Sequence, residues 1–261
     1  MGKKKILWII VLIVAIACFL SCVGYFLMDY IYYKSITNIS GAQNTTSNIS
    51  NIKKDVHVPV DFEKLKKVNE DIYAWIRIPY ADKEAEYIVD YPILQSKEDE
   101  DRSYYLTHDV NRKNSSYGSI YTQDYNKKDF NDFNTLIYGH NMRNGTMFGT
   151  LDEYTNREFF DKNRVIEVYM PGRILKYKIF AAYVFDNRHI MLSFDFEDRA
   201  EREIYLDTVF SKRNLYNNFA DDITVDTDDK IITLSTCTKY NNELERYLVQ
   251  GVLVYDSDAD S

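Results

Sequence analysis

Lys3-Lys4-Lys5 lead directly into residues 6–28, which carry no charge. As a helix, at about 1.5 Å per residue, such a stretch is about 34 Å long and suffices to cross a hydrocarbon core of about 30 Å. This limits everything downstream. With the lysines retained on the cytoplasmic side by the positive-inside rule, the rest of the chain is expected to fold outside the cytoplasm. Two other origins of the stretch fit less well. A cleaved signal peptide would use the small residues Ala15-Ile16-Ala17, yet the apolar run continues for about ten residues beyond them. A lipoprotein signal would use Cys18 or Cys22, and neither ends the apolar segment. The expectation is a cytoplasmic basic tail at 1–5 and a single-pass membrane anchor at 6–28.

Cysteine usage becomes informative in that setting. Of three cysteines, Cys18 and Cys22 fall within the apolar stretch, which leaves Cys237 alone in the exported part. Exported domains that use cysteine structurally use it in pairs, so Cys237 is either a small buried hydrophobe or a reactive thiol.

Residues 29–58 are rich in Asn, Ser, Thr and Ile and read as a polar extracellular tether, followed by one folded domain at 59–257 and a short tail at 258–261. The formal charge of −8 argues against a nucleic-acid partner, and 23 Tyr with 14 Phe favour strands in the core. Asp61 caps a short helical pattern in which Phe62, Leu65 and Val68 are spaced three apart. Strand patterns follow at 73–79, 86–93, 119–122, 135–138, 164–170, 174–185, 230–236 and 247–255. Pro79 and Pro92 are read as strand ends or an edge, and Pro171-Gly172 as a hairpin turn. The one longer helical pattern, 196–210, would turn Ala200, Ile204 and Val209 inward. The fold class expected is mainly β: a closed or nearly closed β-barrel with an N-terminal helix and one longer helix inserted before the strand that carries Cys237.

Cys237 ends the β-branched run Ile231-Ile232-Thr233-Leu234-Ser235-Thr236, and Arg246 opens the next strand. If the two pair as a hairpin, thiol and guanidinium face each other across its mouth, where an arginine can hold a carbonyl or steady an oxyanion. A solvated arginine beside a buried cysteine is the other outcome. Among four histidines, His57 borders the tether, His108 and His189 lie among polar residues without a motif, and His140 ends a strand beside Gly139. Strand ends are where a scaffold aims side chains into a cleft.

Taken together, Thr233-Leu234-Ser235-Thr236-Cys237 followed by Arg246 resembles the signature around the active-site cysteine of sortases, and its Leu-Ser-Thr-Cys form resembles class B. Ile137-Tyr138-Gly139-His140-Asn141-Met142 through Gly145-Thr146-Met147-Phe148-Gly149 resembles the histidine region of that family. Ala74-Trp75-Ile76-Arg77-Ile78, Asp90-Tyr91-Pro92-Ile93 and Gly118-Ser119-Ile120-Tyr121 match its early strands in order, and the helical pattern at 196–210 also resembles class B. The sequence departs from the family at Asp99-Glu100-Asp101-Arg102-Ser103, before Tyr104, where related sequences often carry an asparagine.

The resemblance implies a cysteine transpeptidase whose catalytic domain is the 59–257 segment. Cys237 would attack a threonine carbonyl within a C-terminal sorting signal of an exported protein and form a thioacyl intermediate. His140 would protonate the leaving amine and later take a proton from the incoming one, and Arg246 would orient the substrate and steady the oxyanion. Sortases are thought to act through a minor thiolate and imidazolium population. Ser235 and Tyr138 match positions lining the substrate groove. Implied partners are exported proteins with a sorting signal, a peptidoglycan precursor or cross-bridge amine, and the membrane of a Gram-positive-type cell surface. No cofactor and no metal is expected. A pilin-polymerising sortase with a lysine acceptor, or a catalytically silent surface interaction domain, are the alternatives.

Overall fold

A computed structural model of the chain describes residues 11–21, 23, 24, 27, 56–97, 101–238 and 242–258. The chain divides into two compact units, Met1–Thr45 and Thr46–Ser261. In the first, the described residues are helical and exposed. The remainder of the anchor expected at 6–28, the basic tail expected at 1–5, and the tether expected at 29–58 apart from residues 56–58 lie outside the described residues. Among the described residues, no helix is long and apolar enough to cross a membrane.

The second unit is a barrel. Its strands are β1 (Ile72–Pro79), β2 (Tyr87–Leu94), β3 (Ile120–Thr122), β4 (Asn134–Tyr138), β5 (Val165–Met170), β6 (Arg173–Asp186), β7 (Asn218–Phe219), β8 (Ile231–Cys237) and β9 (Glu245–Asp256). They run in the order β5-β1-β2-β3-β4-β8-β9-β6-β7, and a further β5–β6 pairing joins the two sides, leaving β7 as an appendage on a closed eight-stranded ring. Closure removes the free edges that a sheet otherwise has to protect. The Pro171-Gly172 turn is the hairpin between β5 and β6, with Met170 opposite Arg173 and Gly172 at φ +74°. The interior is filled largely by aromatic and branched side chains, among them Phe148, Tyr177, Phe180 and Leu234, all buried.

Helix α1 (Phe62–Val68) begins at Asp61, whose carboxylate accepts from the Lys64 amide. Phe62 and Leu65 are buried, but Val68 in the last turn is exposed, so the apolar stripe is shorter than its spacing predicts. Helix α2 (Arg157–Lys162) and the single turn α3 (Ile190–Ser193) lie in the connections. The longer inserted helix, α4 (Arg199–Phe210), starts at an Asp198 cap and buries Tyr205, Leu206 and Val209. Ala200 and Ile204, expected inward, face solvent. The aromatic ring of Tyr205 sets this rotation by packing against Phe133, Phe194 and Phe196. Of the two prolines read as strand ends or an edge, Pro79 ends β1 and Pro92 takes a local edge. It pairs with Trp75 inside β2, on a stretch where the pairing with β3 has not yet begun, since that register starts at Ile93.

A buried polar network fastens α4 to the strands. Gln250 on β9 donates to the Tyr205 hydroxyl (2.7 Å) and to Thr233 Oγ1 on β8 (2.8 Å), and its Oε1 accepts from the Tyr183 hydroxyl on β6 (3.0 Å). Thr233 in turn donates to Asn134 Oδ1 on β4 (2.7 Å). Burial pushes the Tyr183 phenol well above its ordinary range and keeps it a neutral donor. Removing the glutamine strands a fully buried hydroxyl, at a cost of about 2–3 kcal/mol. Gln250→Leu is therefore expected to lower unfolding stability by about that amount in urea titrations, with the far-ultraviolet spectrum unchanged.

Candidate active site

Strands β4 and β8 pair in parallel, from Asn134 opposite Ile231 to Tyr138 opposite Ser235. Parallel neighbours end at the same rim of a barrel. Two residues beyond the last pair on each strand stand His140 and Cys237. Burial follows the same line: β8 is buried up to Thr236, and Cys237 is its first half-exposed residue. Strand β9 returns antiparallel to β8 and sets Arg246 opposite Cys237. The three residues thus meet at one rim, brought there by a parallel pair and a hairpin.

His140 is held from two sides. Gly139 precedes it in a position without room for a side chain, since a Cβ there would lie 2.5 Å from Ile120 Cδ1 and 2.7 Å from Phe148 Cδ2. The following loop folds back so that the Phe148 amide donates to the His140 carbonyl at 2.9 Å. On the ring, Nε2 lies 2.7 Å from the Leu106 carbonyl. A carbonyl only accepts, so Nε2 carries the proton, and a neutral ring has its bare lone pair on Nδ1. Leu106 ends a 3-10 turn, Tyr104–Leu106, and its carbonyl is crowded by Gly118, where a Cβ would come within 2.5 Å of that oxygen.

Arg246 is half-buried and donates from Nη1 to the carbonyls of Glu245 (2.8 Å) and Glu243 (3.2 Å). Beside it opens a cleft of about 160 Å³ lined by Tyr138, Ser235, Leu248, His189 and Ile190 together with Arg246. Both residues expected to bind substrate, Ser235 and Tyr138, therefore face the same cleft as the guanidinium. Burial raises the Tyr138 phenol, so it stays protonated as a donor.

The other histidines separate clearly. His57 is exposed, and His108 stacks on Tyr104 with ring centroids 3.8 Å apart. His189, for which the sequence offers no motif, lines the cleft. Its Nε2 donates to Gln123 Oε1 at 2.7 Å, its Nδ1 is buried without a partner, and burial holds the ring below the usual histidine range. Two further residues escape sequence reasoning. Asn141 was visible only as part of the histidine motif, and Leu106 acts through a main-chain carbonyl, which leaves no side-chain signature. At the departure from the family pattern, residues 98–100 lie outside the described residues, while Arg102 pairs with Asp124. Among the described residues no group of three or more His, Cys, Asp or Glu side chains is arranged to hold a metal ion.

A family model described as the sortase domain matches residues 76–254. Sortase B of Listeria monocytogenes is 33% identical over 210 residues, covering 80% of this chain and 78% of its own. Among solved structures, sortase B from B. anthracis superposes with a TM-score of 0.67 at 27% identity, over 88% of this chain and 99% of that one. A Staphylococcus aureus sortase B-substrate complex superposes with a TM-score of 0.62 at 29% identity, over 74% and 84% of the two chains.

Because a Cβ at Gly118 would push on the Leu106 carbonyl, Gly118→Ala is expected to disturb the ring of His140 more than 20 residues away in sequence. The ¹⁵N signature of a neutral Nε2–H ring should weaken in the variant. An unchanged His140 ring spectrum would show that the carbonyl does not hold it.

Proposed function

The chain belongs to the sortase family as a class B cysteine transpeptidase, and from that premise we propose that Cys237, His140 and Arg246 are its catalytic residues. Cys237 Sγ, as a thiolate with His140 protonated, attacks the carbonyl carbon of a threonine in the C-terminal sorting signal of an exported protein. A C–S bond forms, the scissile C–N bond breaks, and His140 delivers a proton to the departing amine. An amine of the cell-wall peptidoglycan, from a precursor or a cross-bridge, then attacks the thioacyl carbon. It gives its proton to His140 as the C–S bond breaks and the Cys237 thiolate leaves, restoring the thiolate and protonated histidine that began the cycle. Through both halves Arg246 orients the acyl group and offsets the negative charge on the tetrahedral oxygen. Ser235 and Tyr138 bind the signal along the adjoining cleft.

The observation that carries this reading is the register pair of Cys237 with Arg246 at the rim where the His140 strand also ends. A surface interaction domain has no use for a thiol, an imidazole and a guanidinium at one strand end. A relative solved as a sortase B-substrate complex supports a substrate-binding reading for this fold. The uncharged residues 6–28 behind three lysines support a single-pass anchor with the 59–257 catalytic domain outside the cell.

The test uses the full-length protein with peptides carrying an internal threonine and a panel of amine acceptors. Wild type is expected to give both the cleaved peptide and its transfer product, and Cys237→Ala neither. Identical products from the two proteins would refute the assignment. His140→Ala should abolish turnover. Arg246→Lys should lower kcat about 100-fold, because one ammonium does not reproduce the guanidinium fork.

A further inference from the structure

We infer that Asn141 is a positioning residue that locks the main chain at Cys237 to the strand end carrying His140. The inference rests on the proposed roles of those two residues.

Asn141 follows His140 directly, and its side-chain amide lies between two acceptors. Nδ2 donates to the Cys237 carbonyl at 2.9 Å and to Asp152 Oδ1 at 3.0 Å. Both neighbours only accept, so only the NH₂ end of the amide fits between them, and its two hydrogens are both used. Asp152 belongs to the 3-10 turn Gly149–Thr155, part of the loop that folds back on His140. The carboxylate therefore aims the amide, and the amide holds the carbonyl.

The place of this contact in the ladder gives it its consequence. The parallel pairing of β4 with β8 continues past Tyr138 through the Gly139 amide, which donates to the Ser235 carbonyl at 3.2 Å. In a continued parallel ladder, the main-chain amide of Asn141 would take the Cys237 carbonyl. The chain at Asn141 instead turns into an antiparallel bridge with Met147, closed by the Phe148 amide on the His140 carbonyl. Its side chain supplies the contact at Cys237, in the stretch where the proposed nucleophile and general acid stand. Because the peptide unit is planar, fixing the Cys237 carbonyl also fixes the direction of the Thr238 N–H. It restrains the Cα–Cβ direction that aims the thiol. Misplacement of about 1 Å in a reacting group costs about 100-fold in rate.

Asn141→Asp is the discriminating variant. It preserves size but replaces the donating amide with a carboxylate facing a carbonyl and another carboxylate. Asn141→Ala removes the contact altogether. Both are compared with wild type in steady-state transfer assays on full-length protein, using the threonine peptide on which wild type is most active and hydroxylamine as acceptor. Thermal unfolding is followed in parallel. The expected result is a fall in kcat of about 10- to 100-fold for both variants, with KM within about twofold of wild type. Wild-type kcat in Asn141→Asp, or a raised KM with kcat unchanged, overturns the inference. So does a loss of activity that only follows loss of the folded state in both variants. Cys237→Ala is run alongside: if it still turns over, the underlying assignment fails, whereas an inactive Cys237→Ala beside a fully active Asn141→Asp removes the positioning role alone.

Discussion

The parallel pairing of β4 with β8 is the constraint on which the rest of the molecule depends. Antiparallel neighbours end at opposite rims, and a barrel built only from them would separate the ends of these two strands. The parallel pair brings both C-terminal ends to one rim, so Asn141 touches Cys237 although they are 96 residues apart in sequence. A parallel pair needs a long crossover. The chain between β4 and β8 supplies it with the β5–β6 hairpin, α3 and α4. The same hairpin closes the barrel by pairing β5 with β1 and β6 with β9. One connection thus creates the site and completes the fold that supports it.

That support is polar as well as apolar. Gln250, Thr233, Asn134, Tyr183 and Tyr205 come from four strands and α4, and all are fully buried. A buried polar group without a partner is costly, so such a network tolerates few alternative registers of β4, β8 and β9. A slip of one residue would turn Cys237 to the other face of the sheet and leave Gln250 facing the wrong neighbours. The network therefore specifies register near the rim as the apolar core alone does not.

Much of this was legible in the sequence, for reasons that differ by element. The eight strands of the closed ring stood out because their β-branched and aromatic runs are bounded by turn residues, and the Cys237–Arg246 hairpin was readable from the polar loop between two such runs. The appended β7, two residues long, has no pattern of its own. The face of α4 was misread at Ala200 and Ile204 because spacing alone does not say which of two apolar stripes a large aromatic such as Tyr205 will pull inward. Asn141, His189 and the Leu106 carbonyl depend on partners brought close by topology. Nothing in their local sequence distinguishes a residue that will meet Cys237 or the cleft from one that will meet water.

The bond from His140 to the Leu106 carbonyl bears on how the proposed proton transfers are arranged. Nε2–H donates to that carbonyl whether the ring is neutral or protonated, so the contact survives both halves of the reaction. On the proposed roles, the proton exchanged with the leaving and entering amines would travel through Nδ1, and a single ring orientation would serve as acid in the first half and base in the second. The carbonyl therefore orients the ring in the same way in both states. A side-chain carboxylate in that position would pair more strongly with the cation, but its negative charge would oppose a thiolate at the same rim. A neutral main-chain carbonyl orients the ring without setting a fixed charge beside the sulfur.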